Sequence, residues 1–248
     1  MQKGRILRTF RNVCKWTCRK RTEEMVRRRK DEALATREAL LDAAERVFCA
    51  RGVTSATLGD VASAAGVTRG AVYWHFRDKG ELFGAMCSRA TLPLQSRLEQ
   101  AADGDGDDAI ATLHAVSVQA MREIALNPRT RAVLEILLCK SERLAQPADG
   151  APQIDEMDRQ CANALERIIV RAIVQGHLSA DTDSHLAAHL LQAFFHGVIQ
   201  HWLMHPEAFD LNTAAPAMVD TMIAGLVAAP PQRDAGKGPA LPPVCDET

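Results

Sequence analysis

One short segment of the chain places basic and aromatic residues where they could contact a polyanion. Residues 68–79 read Thr-Arg-Gly-Ala-Val-Tyr-Trp-His-Phe-Arg-Asp-Lys. If the segment is helical, Val72 and Phe76 lie on one face, and Tyr73 and Trp74 lie on the other. Exposed aromatic rings are unfavourable in water unless they serve a binding surface. Beside arginine and lysine side chains, they suit the sugar-phosphate chain and base edges of a nucleic acid.

Two short helices would hold these residues in place. The apolar residues before the segment follow the i, i+3, i+4, i+7 pattern of an amphipathic helix: Leu58, Val61, Ala62 and Ala65. Thr57 stands where an N-cap belongs, and Gly66 stands where the helix has to end. Thr68 can then cap a second helix. Two short helices around a glycine-containing turn predict a helix-turn-helix, whose second helix fits the major groove of DNA.

A further helix, predicted from Thr36 to Gly52, supports this pair from behind and completes a three-helix domain. Its apolar positions are Leu40, Ala44, Val47 and Phe48. Arg37 near its start is placed to meet phosphate. So is the basic cluster Arg27–Lys30, for which a solvated run of charges is the alternative interpretation.

The stretch from Thr36 to Leu82 resembles the DNA-binding domain of the tetracycline-repressor (TetR/AcrR) family of bacterial regulators. The resemblance is carried by Thr57-Leu-Gly-Asp-Val-Ala and by Val67-Thr-Arg-Gly-Ala-Val-Tyr-Trp-His-Phe-Arg-Asp-Lys-Gly-Glu-Leu. It implies that Arg69, Gly70 and Tyr73 face base edges or the sugar-phosphate chain of double-stranded operator DNA. It also implies phosphate anchors at Thr57, Thr68, Trp74, His75 and Lys79.

Charge is distributed unevenly along the 248 residues, whose net charge is −1. Residues 1–30 carry 12 lysines and arginines and two glutamates, which leaves 18 basic and 29 acidic side chains for the rest. A basic end on an acidic body suggests a polyanionic partner at one end only. We expect residues 1–24 to be a basic leader that is disordered or lies before the true start at Met25. A basic DNA-binding arm is the alternative.

The chain beyond the helix-turn-helix is predicted to be all-helical. A fourth helix runs from Lys79 to about Leu98, and the later helices cover residues 107–126, 129–144, 153–175, 183–204 and 213–228. The expected fold is therefore all-α, with about nine helices. We expect a DNA-binding domain at 25–80 and a ligand-binding and dimerisation domain at 81–229. Residues 230–248 hold five prolines and two glycines, and we expect a disordered tail there.

The predicted helix at 183–204 is apolar on more than one face. Leu186, Leu190, Phe194 and Val198 form one stripe, and Leu191, Phe195 and Ile199 form a second. One stripe can pack within the subunit while the other meets a partner. With the helix at 213–228 it predicts a homodimer held by a four-helix bundle. The family resemblance implies the same arrangement.

Apolar faces of the second domain could enclose a small hydrophobic ligand. The candidate lining residues are Leu113, Val116, Ser117, Ala120, Leu134, Leu138, Cys161, Leu165, Leu191, Phe195 and Ile199. A fully packed core is the alternative for each of them. Within the family the chain is most similar to repressors of multidrug efflux pumps, through Met25-Val-Arg-Arg-Arg-Lys and Gly197-Val-Ile-Gln-His-Trp-Leu. That resemblance implies an inducer that binds inside the second domain and releases DNA.

The sequence offers little for catalysis. It contains no GxSxG, no glycine-rich phosphate loop and no HExxH, so we expect no enzyme and no cofactor. His185, His189 and His196 share a helical face that would suit a metal, but surface or interface histidines are the preferred interpretation. The seven cysteines include no CxxC pair and suggest reduced thiols of the cytoplasm, with Cys87, Cys139 and Cys161 buried. No membrane span is predicted.

The sequence therefore predicts a dimeric repressor that binds a palindromic operator, controls a multidrug efflux operon and is released by hydrophobic compounds. A repressor of a metabolic or quorum-signal operon is one alternative. A ligand-insensitive architectural DNA-binding protein is another, and an enzyme that uses the helical cavity would lack a nucleophile–base pair.

Overall fold

The structure, a computed structural model, describes the backbone of residues 3–140 and 151–233. Side chains are described for residues 25, 27–139 and 154–233. Over these ranges the protein is all-helical, as predicted, with nine α-helices and one π-helical segment. The helices are α1 (Lys3–Arg51), α2 (Leu58–Ala65), α3 (Arg69–His75), α4 (Lys79–Asp103), α5 (Ala109–Leu126), α6 (Pro128–Glu135), α7 (Ala151–Val174), α8 (Ser184–Met204) and α9 (Leu211–Ala228). The π segment, Ile136–Lys140, follows α6 directly.

α1 is longer than the sequence predicted. It begins at Lys3 instead of Thr36, and the backbone of residues 3–24 is part of the helix. Between Gly4 and Gly52 the sequence contains neither glycine nor proline, and nothing in it interrupts the helix. Gly52 ends α1 with a φ of 74°, a left-handed conformation that glycine adopts without steric cost. A domain start at Met25 stays a prediction.

The helix-turn-helix is fixed by its caps. The Thr57 hydroxyl accepts a hydrogen bond from the Asp60 N–H at 3.1 Å, and the Asp60 carboxylate accepts one from the Thr57 N–H at 2.9 Å. This reciprocal pair is a capping box for α2. Gly66 ends α2 at a φ of 70°, and the Val67 N–H donates to the Ala62 carbonyl at 3.0 Å. The short turn that follows brings Thr68 to the start of α3, where it is the N-cap.

The first of two apolar cores, the N-terminal core, joins α1, α2, α3 and the start of α4. Phe48 of α1 meets Phe83 of α4 edge to face, with ring centroids 5.7 Å apart. Val133 of α6 and Ile136 of the π segment are also fully buried members of this core. The predicted division after residue 80 is therefore crossed by α4 and by the α6 region.

The second apolar core, the C-terminal core, is built from the end of α4 and from α5 to α9. α9 contributes a buried stripe that consists of Leu211, Ala215, Val219, Ile223 and Leu226. Among the described residues, α9 is also the one helix whose length and composition would suit a membrane span. Its stripe instead packs in the core beside α5, and Asp220 on α9 lies 3.0 Å from His114 of α5.

Some boundaries differ from the predicted ones because aspartates cap the helices. α9 begins at Leu211, two residues earlier than predicted, since the Asp210 carboxylate accepts a hydrogen bond from the Asn212 N–H at 3.0 Å. α5 begins at Ala109 after a similar cap from Asp108. The helix predicted at 129–144 is α6 followed by the π segment, and residues 141–150 lie outside the described part.

The start of the predicted disordered tail is ordered. Thr182 and Gln232 form an isolated antiparallel bridge. The Asp183 N–H donates to the Pro231 carbonyl at 2.8 Å, and the Arg233 N–H donates to the Asp181 carbonyl at 2.9 Å. The first residues of the predicted tail therefore have backbone partners in the loop before α8. Residues 234–248 lie outside the described part.

Candidate nucleic-acid interface and ligand core

The face of α3 that points away from the N-terminal core carries an aromatic and basic surface. Val72 is buried, whereas Tyr73 is 48% exposed and Trp74 is 73% exposed. The Arg69 guanidinium lies 5.7 Å from the centre of the Tyr73 ring, and its Nη2 donates to the Tyr73 hydroxyl at 3.3 Å. A planar cation and two rings are thus presented together on a helix narrow enough for a DNA groove.

Gly70 lies on the same surface, and the fold does not require a glycine there. A Cβ added at Gly70 would meet only the Thr68 hydroxyl oxygen, at an ordinary 3.9 Å. The residue is helical, exposed and free of backbone strain. A glycine in such a position lets a partner approach the backbone closely.

Two of the predicted phosphate anchors already have partners within the protein. The Thr57 hydroxyl is 2.7 Å from an Asp60 carboxylate oxygen and also accepts the capping hydrogen bond. These bonds to Thr57 lower the pKa of Asp60, and Arg51 at 2.6 Å adds to the effect. Thr68 accepts the Ala71 N–H at 3.3 Å, and its own proton stays available as a donor.

Lys79, at the start of α4, holds the turn before α2. Its ammonium donates to the Thr54 carbonyl at 3.0 Å and to the Ala56 carbonyl at 3.2 Å. An ammonium has three hydrogens, so one is left for a phosphate. Lys79 therefore has a structural role that the sequence did not indicate, because the two carbonyls that it binds lie more than twenty residues earlier in the chain.

Arg37 of α1 lies near the C-terminal end of α3. Its guanidinium lies 5.2 Å from the centre of the Phe76 ring, close to where α3 ends. The imidazole of His75 meets the Trp74 ring edge to face at 4.5 Å. Partial burial lowers the pKa of His75 below 6.5, and the positive charge of Arg37 lowers it further. The cluster Arg27–Lys30 is exposed on α1.

Most of the predicted ligand residues meet in the C-terminal core. Five of them are buried members of it: Leu113, Leu134, Leu165, Leu191 and Ile199. Three more pack against it, namely Leu138, Cys161 and Phe195. Ser117 is buried on α5. Val116 and Ala120, half-buried on α5, lie outside the cluster, so the structure does not bring these two together with the others.

Within the described part of the chain, neither the buried thiols nor the histidines form a reactive or metal-binding site. Burial raises the pKa of Cys87 to about 12 and that of Cys161 to about 11. Cys139 is exposed, so its predicted burial is wrong; it lies in the π segment, where the 3.6-residue period no longer applies. His185 and His189 are in ring contact, but no three potential ligands among the described residues are grouped to hold a metal.

The structure adds a cluster of charged residues that joins α1, α4 and α6. Arg89 of α4 and Arg129 of α6 converge on three carboxylates of α1, those of Glu38, Asp42 and Glu45. The carboxylates recur at spacings of four and three residues, which is one helical face and is visible in the sequence. Their arginine partners lie on other helices, so the sequence alone could not join them.

Two segments of this chain match known families of bacterial regulators. Residues 40–86 match the bacterial regulatory proteins of the tetR family, and residues 108–227 match the C-terminal region of MAATS-type transcriptional repressors. The HTH-type transcriptional regulator TtgR of Pseudomonas putida is 35% identical over 198 residues, which cover 79% of this chain and 94% of TtgR.

The chain belongs to the TetR family of bacterial regulators.

Solved structures of multidrug efflux pump repressors are also similar. SmeT, the repressor of the Stenotrophomonas maltophilia multidrug efflux pump SmeDEF, gives a TM-score of 0.66 at 31% identity, over 84% of this chain and 96% of SmeT. The SmeT–triclosan complex gives 0.70 at 33% identity, over 85% and 100%. NalD, the secondary repressor of the MexAB-OprM multidrug efflux pump in Pseudomonas aeruginosa, gives 0.68 at 29% identity, over 79% and 97%.

These similarities show which class of protein the chain belongs to. The helix-turn-helix belongs to a TetR-family transcriptional repressor, a class of regulator and not an enzyme. The chain is related to the repressors of multidrug efflux pumps.

Proposed function

We propose that this TetR-family repressor controls a multidrug efflux operon from the cytoplasm. In this proposal it binds a palindromic operator as a homodimer and leaves it when a small hydrophobic compound binds. The observation that carries the proposal is the exposed Arg69–Tyr73–Trp74 surface on a capped helix-turn-helix, joined through α4 and α6 to an apolar core. SmeT and NalD, which are similar over most of this chain, are repressors of multidrug efflux pumps.

The DNA contacts divide into those that read sequence and those that fix position. Arg69, Gly70 and Tyr73 are proposed to face the bases or the sugar-phosphate chain. The proposed phosphate contacts are Arg37, Thr57, Thr68, Trp74, His75 and Lys79. Phosphate contacts set the register of a protein on DNA, whereas base contacts supply specificity.

The inducer is proposed to enter the C-terminal core. The residues there are mostly leucine and isoleucine, with Phe195 packed at the edge and the Ser117 hydroxyl buried nearby on α5. Such a lining imposes few polar requirements, so compounds of varied structure can be accepted. SmeT has been solved in complex with triclosan, which makes triclosan a suitable first probe for this chain.

The dimer is proposed to form through α8 and α9. Leu186 is 52% exposed and Leu190 is 54% exposed, while Leu191 and Ile199 of the second stripe are buried. The two stripes predicted on this helix thus have different surroundings at these positions. An exposed leucine stripe on a long helix is the kind of surface that a two-fold symmetric interface covers.

Selection of duplexes from random sequence, followed by footprinting beside the chain's own gene, tests the proposal. We expect a palindromic consensus that also occurs beside genes for an efflux pump, and a footprint that disappears when triclosan is added. A consensus beside metabolic genes would instead support the metabolic alternative. A footprint insensitive to every hydrophobic compound tested would support an architectural protein.

Two variants, Phe195→Ala and Leu190→Asp, distinguish a residue that contacts the ligand from one that holds the dimer together. We expect Phe195→Ala to shift the triclosan concentration needed for release while the operator affinity without triclosan stays within about twofold. Leu190→Asp should convert the dimer to a monomer in sedimentation experiments, because it places a charge on an apolar contact. If Phe195→Ala abolishes the dimer instead, that face of α8 belongs to the interface.

A further inference from the structure

The charged cluster on α1, α4 and α6 forms one connected set of ion pairs. Arg89 Nη1 donates to the Glu38 carboxylate at 2.7 Å, and Arg89 Nη2 lies 2.9 Å from Asp42 and 2.5 Å from Glu45. Arg129 Nη2 lies 2.5 Å from Asp42, and its Nε donates to Glu45 at 3.1 Å. Two arginines thus share three carboxylates, and the set carries one excess negative charge.

Through Glu38 the set also reaches Arg37, a proposed phosphate contact near the end of α3. Glu38 is also 4.0 Å from the guanidinium of Arg37, the residue that lies over Phe76 beside α3. Glu38 therefore pairs closely with Arg89, at 2.7 Å through Oε2, and only distantly with Arg37, at 4.0 Å through Oε1. We call the six residues Arg37, Glu38, Asp42, Glu45, Arg89 and Arg129 the ion-pair chain.

α6 connects the ion-pair chain with the ligand core. It carries Arg129 at its start, places Val133 in the N-terminal core and places Leu134 in the C-terminal core. A displacement of α6 by a ligand in the C-terminal core would therefore move Arg129 relative to α1. Packed helices transmit small shifts because the interior is dense.

We propose that Arg89 and Arg129 are positioning residues for DNA binding that act on Arg37 through Glu38. When Arg129 neutralises Asp42 and Glu45, Arg89 holds Glu38, and Arg37 is available to phosphate. When Arg129 is lost or displaced, Arg89 is drawn to the two carboxylates left without it. Glu38 then pairs with Arg37 and withdraws that arginine from DNA.

Contact, and not the long-range field of Arg129, carries this effect. From Arg37 to Glu45 the helix rises about 12 Å, at roughly 1.5 Å per residue. The Debye length at physiological ionic strength is about 8 Å, so a direct influence of Arg129 on phosphates near Arg37 is largely screened. The pairs are partly exposed, which limits the expected effect to about two- to fivefold in affinity.

The test is a double-mutant cycle on operator affinity with the full chain. It rests on the proposed DNA binding but uses a duplex selected from random sequence, so a wrong efflux assignment does not affect it. Arg129→Gln should weaken binding about two- to fivefold, and this loss should vanish in the Glu38→Gln background. Arg167→Gln is the matched control, because it removes the same charge from an arginine that pairs with Glu99 and Asp103 instead of with α1. It should leave the affinity unchanged.

Two results would overturn the inference. One is an equal loss for Arg129→Gln with Glu38 present or replaced, which would mean that Arg129 does not act through Glu38. The other is no loss at all in a variant whose thermal unfolding matches the wild type. Arg129→Lys keeps the charge but not the planar guanidinium, so it should give an intermediate loss of affinity. It replaces Arg129→Gln in the cycle if that variant does not fold. A wild-type chain that selects no duplex would contradict the proposed function itself.

Discussion

Residues on the proposed DNA face differ in whether their polar groups already have partners within the protein. The Lys79 ammonium and the Thr57 hydroxyl are bound to groups of the turn and of α2. The aromatic rings of Tyr73 and Trp74 and the backbone at Gly70 are open to solvent. A substitution among the first group should lower stability and DNA affinity together, whereas one among the second should lower DNA affinity without destabilising the fold.

Gly70→Ala should raise the stability of the protein and lower its affinity for DNA. Alanine is the better helix former, and the added Cβ meets only ordinary contacts, so unfolding should become harder by up to about 1 kcal/mol. Operator affinity should fall, because the Cβ occupies space that the DNA needs. Urea denaturation and fluorescence anisotropy measure the two effects. Unchanged affinity would show that DNA does not approach the backbone at Gly70.

Lys79→Ala should lower both stability and affinity. The loss of two hydrogen bonds from a charged donor should destabilise the domain by about 1–3 kcal/mol. If the third hydrogen contacts phosphate, the slope of log affinity against log salt should fall by roughly 0.9 per contact and subunit. Affinity measured from low to high salt gives that slope. An unchanged slope with lower stability would leave Lys79 with the structural role alone.

Capped amphipathic helices could be predicted from the sequence, whereas features that depend on distant partners could not. Leu58 and Val61 of α2 and Val72 of α3 are buried as their spacing indicates, because a helical period fixes a face. Membership of the C-terminal core was harder to predict, because Val116 and Ala120 share the pattern of Leu113 yet lie outside that core. Which part of an apolar face becomes core depends on the neighbouring helix, and the sequence does not show that helix.

Loop 181–183 pairs with residues 230–233, and the composition of the chain did not predict this pairing. Five prolines suggested disorder, yet Pro231 and Arg233 have backbone partners beside the N-cap of α8. A chain that ends at Ala229 should therefore unfold more easily by about 1–3 kcal/mol than one that ends at Arg233, because two hydrogen bonds are lost. Denaturation of the two truncated chains gives the difference. Equal stabilities would mean that the pairing contributes nothing.

At the scale of the molecule, the two cores are joined by more than α4. Val133 and Ile136 belong to the N-terminal core while Leu134 belongs to the C-terminal core, so α6 and the π segment contact both. A ligand that changes the packing of the C-terminal core can therefore act on the helix-turn-helix through α6 and the π segment as well as through α4. The required effect is modest, since tenfold weaker DNA binding needs only ~1.4 kcal/mol of coupling between the sites.

Operator affinity with and without a hydrophobic compound tests the central claim most directly. The measurement is fluorescence anisotropy of the selected duplex with the full chain, repeated at saturating triclosan. We expect triclosan to weaken binding at least about tenfold, because the ligand favours the state that cannot span both half-sites. The same operator affinity with triclosan, and with a panel of other hydrophobic compounds up to their solubility limits, would contradict a ligand-responsive repressor.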